Sequence, residues 1–137
     1  MLRVTLDTNV YVSALEFGGV SARLLGMARA GIIRIDVSDA ILDELVTVLR
    51  DDFAWEAYRL HFAREQLAKA GNLVTPKEAI DAIKEDPDDN AILECAVQAG
   101  SQFIVTSDKD LLRLGEYGSI GIVTASQLLQ QHHAPGK

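Results

Sequence analysis

Asp7, Glu44, Asp89 and Asp108 are four acids that recur at places where one chain can bring carboxylates together. Asp7 directly follows the strand-like run LRVTL, and Asp108 follows a second apolar run, FIVT, after one serine. Asp89 opens an apolar helix, and Glu44 lies on a helix that follows another strand. In a parallel sheet all strand exits share one edge, so Asp7 and Asp108 meet there if their strands are neighbours. Glu44 shares a helical turn with Ile41 and Leu45, which turns it toward the crevice and leaves Asp43 to solvent. Carboxylates gathered in this way repel and raise one another's pKa, so the group calls for a shared positive charge. Oxygen donors without a cysteine or histidine cluster select hard cations, Mg²⁺ or Mn²⁺. Such a centre polarises a phosphodiester oxygen, acidifies a water and stabilises a leaving oxygen, which suffices to hydrolyse a nucleic acid backbone. Each acid also has a plainer role available. Asp7 can be an N-cap, and the run EDPDDN at 85–90 suits a helix start by its charge alone.

The elements that must position these acids alternate along the chain. Residues 2–6 read as a strand entering a helix at Asp7, and 20–30 as a helix stopped by Gly31. Residues 32–37 are a short β-branched run expected as a buried strand. Ser38 is then the N-cap of a helix over 41–49 with a broad apolar face. Strand, helix, strand at this spacing is a βαβ unit, so the first strands should be parallel. A long helix is expected over 53–70, ended by Gly71 and Asn72, and Thr75 with Pro76 predicts a further helix over 77–84. Residues 91–99 form an apolar helix ended by Gly100. Strands follow at 103–106 and 120–123, with a short leucine-rich turn between them and a last helix at 125–131. Residues 132–137 read as a frayed tail.

A chain of 137 residues with 48% apolar residues can bury the core of one domain, expected to span 1–131. No apolar run is long enough to span a membrane, and Met1 leads straight into a strand, so the protein is expected to be cytoplasmic. The single Cys95 excludes an internal disulfide and reads as a small buried hydrophobe. A net charge of −7 speaks against a general basic surface for nucleic acid. It leaves room for a nuclease whose acids are neutralised by a divalent ion.

The motifs DTNV at 7–10, SDAILDEL at 38–45, DPDDNAILECA at 86–96 and IVTSDKDLL at 104–112 resemble the PIN domain. Within that family they are similar to the toxin components of bacterial toxin–antitoxin pairs, the VapC group. The resemblance runs from Leu2 to about Leu129 and keeps four motifs in order. It implies a single-domain three-layer α/β/α sandwich with a central, mainly parallel sheet. It also implies a metal-dependent ribonuclease whose catalytic and metal-binding acids map onto Asp7, Glu44, Asp89 and Asp108. Asn9 would be a polar supporter of Asp7, Asp110 an assistant to the site, and Asp86 a brace for the loop around Pro87. Thr106 and Ser107 would hydrogen-bond the acids or a phosphate, although strand-end hydroxyls also form turns. The resemblance further implies an RNA substrate, a homodimer and an antitoxin partner that blocks the cleft.

Rival readings fit less well. A haloacid-dehalogenase-type phosphatase needs a second aspartate two residues after the first, where this chain has Asn9. A receiver domain needs paired acids after its first strand, and only Asp7 follows Leu6. A PIN-like module that only binds a partner has no need of four facing carboxylates. Arg23, Arg29, Arg50, Arg59 and Arg64 are candidates for RNA backbone contacts, each with a plainer role as a solvated helix residue. His132 and His133, adjacent on a tail, diverge and make a poor metal pair.

Overall fold

The computed structural model describes residues 1–83 and 88–131. Its six strands form one sheet in the order β3-β2-β1-β4-β6-β5. These are β1 (Leu2–Leu6), β2 (Ile33–Ser38), β3 (Asn72–Val74), β4 (Phe103–Val105), β5 (Glu116–Tyr117) and β6 (Ile120–Val123). All neighbours run parallel except β5, which is antiparallel to β6. The helices are α1 (Thr8–Glu16), α2 (Gly19–Arg29), α3 (Asp39–Phe53), α4 (Ala57–Ala70), α5 (Asp88–Ala99), α6 (Lys109–Leu114) and α7 (Ala125–Gln131).

Helices cover both faces, giving the expected three layers. On one face α5 touches β1, β2, β3 and β4. On the other, Tyr11 of α1, Leu25 of α2 and Leu67 of α4 surround Ile35 of β2. The strand pattern dictates this division, because successive side chains point to opposite faces. Ile33, Ile35 and Val37 are buried on the second face, while Asp36 points under α5.

That placement buries a carboxylate completely, and its partners explain why it is tolerated. Asp36 accepts from Arg34 Nε at 2.7 Å, Asn72 Nδ2 at 3.0 Å and Ser101 Oγ at 2.6 Å. Ser101 in turn meets Thr5 of β1 at 2.7 Å. A buried charge left unpaired would cost several kcal/mol, so this network fixes β1, β2, β3 and the turn before β4 in one register.

Three strands end in helix caps. Asp7 accepts from the backbone of Asn9 to start α1, Ser38 accepts from Ile41 to start α3, and Asp108 accepts from Asp110 and Leu111 to start α6. The caps satisfy backbone donors that a helix start leaves open. They also hold both aspartates at the carboxyl edge of the sheet.

Two expectations are corrected. The stretch 53–70 is not one helix: α3 runs on to Phe53, and Ala54 adopts a left-handed conformation with φ of 56°. Trp55 N–H then bonds back to Leu49 O at 3.1 Å, the geometry that closes a helix C-terminus. Arg59 stacks over the Trp55 ring at 3.6 Å, and the indole N–H donates to Glu16 of α1. These contacts hold the break between α3 and α4.

Nor do residues 75–83 form a helix, and Lys84 lies outside the described residues. Their backbone donors are taken by side chains of α5. Lys77 N–H goes to Gln98, Ile80 N–H to Glu94, and both Ala82 and Ile83 N–H to Asn90 Oδ1. Asn90 Nδ2 completes the set by donating to Ile83 O at 2.9 Å. Residues 90, 94 and 98 stand at four-residue spacing, so one stripe of α5 pins an extended segment. The short strands β3 and β5 were not legible from sequence, and the leucine-rich turn is the six-residue α6.

Candidate metal centre

The chain lays β1, β2 and β3 outward in one direction and then places β4 on the other side of β1. The sheet order therefore reverses between β1 and β4, where open α/β folds keep a crevice at the strand carboxyl ends. Asp7 leaves β1 at this point, and its N–H bonds to Val105 O of β4 at 2.9 Å. Thr106 and Asp108 leave β4 beside it.

Thr106 links the two acids. Its hydroxyl donates to Asp7 Oδ2 at 2.6 Å and accepts the backbone N–H of Asp108 at 2.9 Å. Asp108 Oδ1 is fixed by the N–H groups of Asp110 at 2.8 Å and Leu111 at 3.1 Å. Asp89, in the first turn of α5, reaches the same place. Single carboxylate oxygens of Asp89, Asp108 and Asp110 lie within 4.8 Å of one another. Three carboxylates this close are near enough for side-chain rotation to bring one oxygen from each onto a single ion. Arg113 meets Asp110 at 3.0 Å from the solvent side.

Burial and like charge act together on the remaining acids. Burial pushes the Asp7 carboxyl above its ordinary value, and the Asp108 charge adds to this. Its hydrogen bonds from Thr106, Asn9 and Thr8 work in the opposite direction. Glu44 is half-buried and is also raised. Burial is the main cause, followed by a hydrogen bond and charge from Asp88 and the charge of Asp7, against a lowering contact from Thr8. Glu44 thus sits in a second lobe with Thr8 and Asp88, over a cavity of about 80 Å³.

Of the residues singled out by sequence, the structure brings Asp89, Asp108 and Asp110 into one cluster, with Asp7 coupled to it through Thr106. Glu44 adjoins Asp7 from the other side, and Asp43 is exposed in a 2.7 Å ion pair with Arg64. Asn9 contributes its backbone N–H to Asp7, whereas its side chain and Ser107 line a neighbouring cleft. Asp86, His132 and His133 lie outside the described residues. The donor set contains only hard oxygen atoms, and it fits a divalent cation of the Mg²⁺ or Mn²⁺ type.

The family model described as the PIN domain matches residues 3–110, a span that includes every one of these acids. The chain belongs to the PIN domain family.

This PIN domain is also similar in fold to a solved structure, VapBC-1 from nontypeable Haemophilus influenzae. The TM-score is 0.62 at 16% sequence identity, over 91% of this chain and 99% of that one. No curated protein sequence matches it. Among the described residues of the PIN domain, no helix is long and apolar enough to cross a membrane.

Asp88 is the site residue that sequence reasoning passed over. It stands beside Asp89 in the run DPDDN, and neighbouring residues on a helix point about 100° apart. That divergence sends Asp89 to the Asp108 lobe and Asp88 to Glu44, a division that could have been drawn from helix geometry alone. Asp110 stands in the same cluster because the tight α6 start, with its N–H on Asp108 Oδ1, turns it back toward Asp108.

Proposed function

We propose that this PIN domain is a metal-dependent endoribonuclease and the toxin of a toxin–antitoxin pair. The observation that carries the reading is the convergence of Asp89, Asp108 and Asp110 within 4.8 Å at the switch point occupied by Asp7. Asp7, Glu44, Asp89 and Asp108 are the catalytic and metal-binding acids in this reading. Asn9, Thr106, Ser107, Asp86 and Asp110 support them.

Bound Mg²⁺ or Mn²⁺ would supply Lewis-acid chemistry to a phosphodiester and its attacking water. The chain's own residues then have separate tasks. Thr106 holds the Asp7 carboxylate in one rotamer and ties it to the backbone of Asp108. The backbone donors on Asp108 Oδ1 orient that carboxylate before any ion arrives, so little reorganisation is needed. Glu44, beside Thr8 and Asp88 on the other side of Asp7, would join Asp7 in holding the ion.

The similarity in fold to VapBC-1 and the four VapC-like motifs support the toxin reading and an antitoxin partner. The exposed aromatic side chains Phe17, Tyr58 and Phe62 support a protein–protein surface, in line with a homodimer. A cytoplasmic location follows from the same reading. The test is expression of the wild type and Asp7→Asn in a bacterial host, with cut ends mapped in total RNA. New ends with the wild type and none with the variant are expected. Identical end patterns from both would remove the reading.

A further inference from the structure

A cleft of about 240 Å³ opens directly beside the acids, lined by Asn9, Ser13, Ser21, Ser107, Thr124 and Ser126 among others. These come from α1, the start of α2, the turn after β4 and the start of α7. Among the described residues that line it there is no charged and no aromatic side chain. Val20 and Ser126 also line a second cavity of about 340 Å³, which Arg23, Leu129 and Gln130 complete. The two cavities thus adjoin through Val20 and Ser126, with Thr106, the hydrogen-bond partner of Asp7, on the wall of the first and Arg23 on the wall of the second, and together they outline a track.

Most other arginines are engaged elsewhere. Arg3 donates to Gly100 O, Arg34 to Asp36, Arg50 to Asp51, Arg64 to Asp39 and Asp43, and Arg113 to Asp110. Arg59 is spread on Trp55. Arg23 is exposed and has no ion pair among the described residues, and it is the arginine that stands on the track.

We propose that a single strand of RNA leaves the cut site along this track, with its sugar-phosphate backbone in the hydroxyl-lined cleft and a flanking phosphate at Arg23. Hydroxyl and amide groups suit this role because they can donate to phosphate oxygens and both donate to and accept from the ribose 2′-hydroxyl. They also do so beside a cluster of acids without adding like charge. Without an aromatic platform, bases on this side are not stacked, so the track reads backbone rather than sequence. A chain of net charge −7 needs such a route, since its surface offers phosphate little general attraction.

This inference rests on the ribonuclease reading, and one experiment separates the two. Mg²⁺-dependent cleavage of a single-stranded oligoribonucleotide is measured across a salt series for the wild type, Arg23→Glu, Ser126→Leu and Lys69→Glu. Lys69 lies at the end of α4, outside the track, and controls for the change in net charge. Arg23→Glu should raise KM about tenfold at low salt, leave kcat within about twofold, and reduce the salt slope by about one. Ser126→Leu should raise KM without altering the salt slope, and Lys69→Glu should behave as the wild type. If Arg23→Glu matches Lys69→Glu while the wild type cuts RNA, the track is wrong and the ribonuclease reading stands. If the wild type cuts no RNA with Mg²⁺ or Mn²⁺, both fall.

Discussion

Thr106 donates its hydroxyl proton to the Asp7 carboxylate at 2.6 Å, joining the ends of β1 and β4 through their side chains. The same oxygen accepts the N–H of Asp108, so one threonine sets the orientation of two acids. In metal sites, partners that orient the liganding side chains commonly cost about ten- to a hundredfold in metal affinity when removed.

Thr106→Val should therefore keep the fold and weaken the centre. Valine matches threonine in shape but leaves Asp7 buried without its hydroxyl donor. Loss of about tenfold or more in Mn²⁺ affinity is expected, with Thr106→Ser close to wild type. Isothermal titration of the three proteins measures this. Equal affinity in Thr106→Val would show that the hydroxyl has no orienting role.

The raised pKa values of Asp7 and Glu44 make a prediction about pH in metal-free buffer. A carboxyl whose native value lies above its unfolded value binds its proton more tightly when folded. The stability gained by protonation is complete below the unfolded value and is lost as pH rises through the native one. Lowering the pH from neutral toward the ordinary carboxylate range in chelator should thus raise the melting temperature of the wild type relative to Asp7→Asn. Added Mg²⁺ should reverse the trend, because metal and proton compete for the same oxygens. A wild type that loses stability relative to Asp7→Asn across this interval would contradict the assignment of Asp7.

Asn90 offers a structural prediction with a functional consequence. Its side chain makes three hydrogen bonds to the backbone of Ala82 and Ile83, and it follows Asp89 in the first turns of α5. Asn90→Ala should cost about 3 kcal/mol in denaturant unfolding, from three net bonds of about 1 kcal/mol each. The change leaves the buried N–H of Ile83 and the part-buried N–H of Ala82 without their acceptor, so Asn90→Asp, which keeps the accepting oxygens, should lose less. An Asn90→Ala protein as stable as the wild type would mean that residues 75–83 are not held by this stripe.

The parts of the fold that were legible in the sequence are those set by local signals. Apolar runs with Asp7, Ser38 and Asp108 at or just past their ends marked β1, β2 and β4, and Asp7 and Ser38 marked the helices they cap. Their order on the chain was enough to expect Asp7 and Asp108 on one edge. What escaped was decided by distant partners. Residues 75–83 carry a proline-led helix start, yet the side chains of Asn90, Glu94 and Gln98 offer their N–H groups better partners than a short helix would. Ala54 carries no stop signal, because the turn is held by Trp55 contacts with Arg59 and Glu16 rather than by a glycine. The pairing of Glu44 with Asp88 was hidden for the same reason, since it depends on how α3 and α5 meet.

Binding of a divalent ion to the acids themselves is the claim on which the proposed chemistry depends. Isothermal titration of Mn²⁺ into the wild type and into Asp108→Asn tests it without any RNA. Saturable binding by the wild type, weakened at least about tenfold in a folded Asp108→Asn, is the expected result. Indistinguishable isotherms for the two proteins would contradict the account.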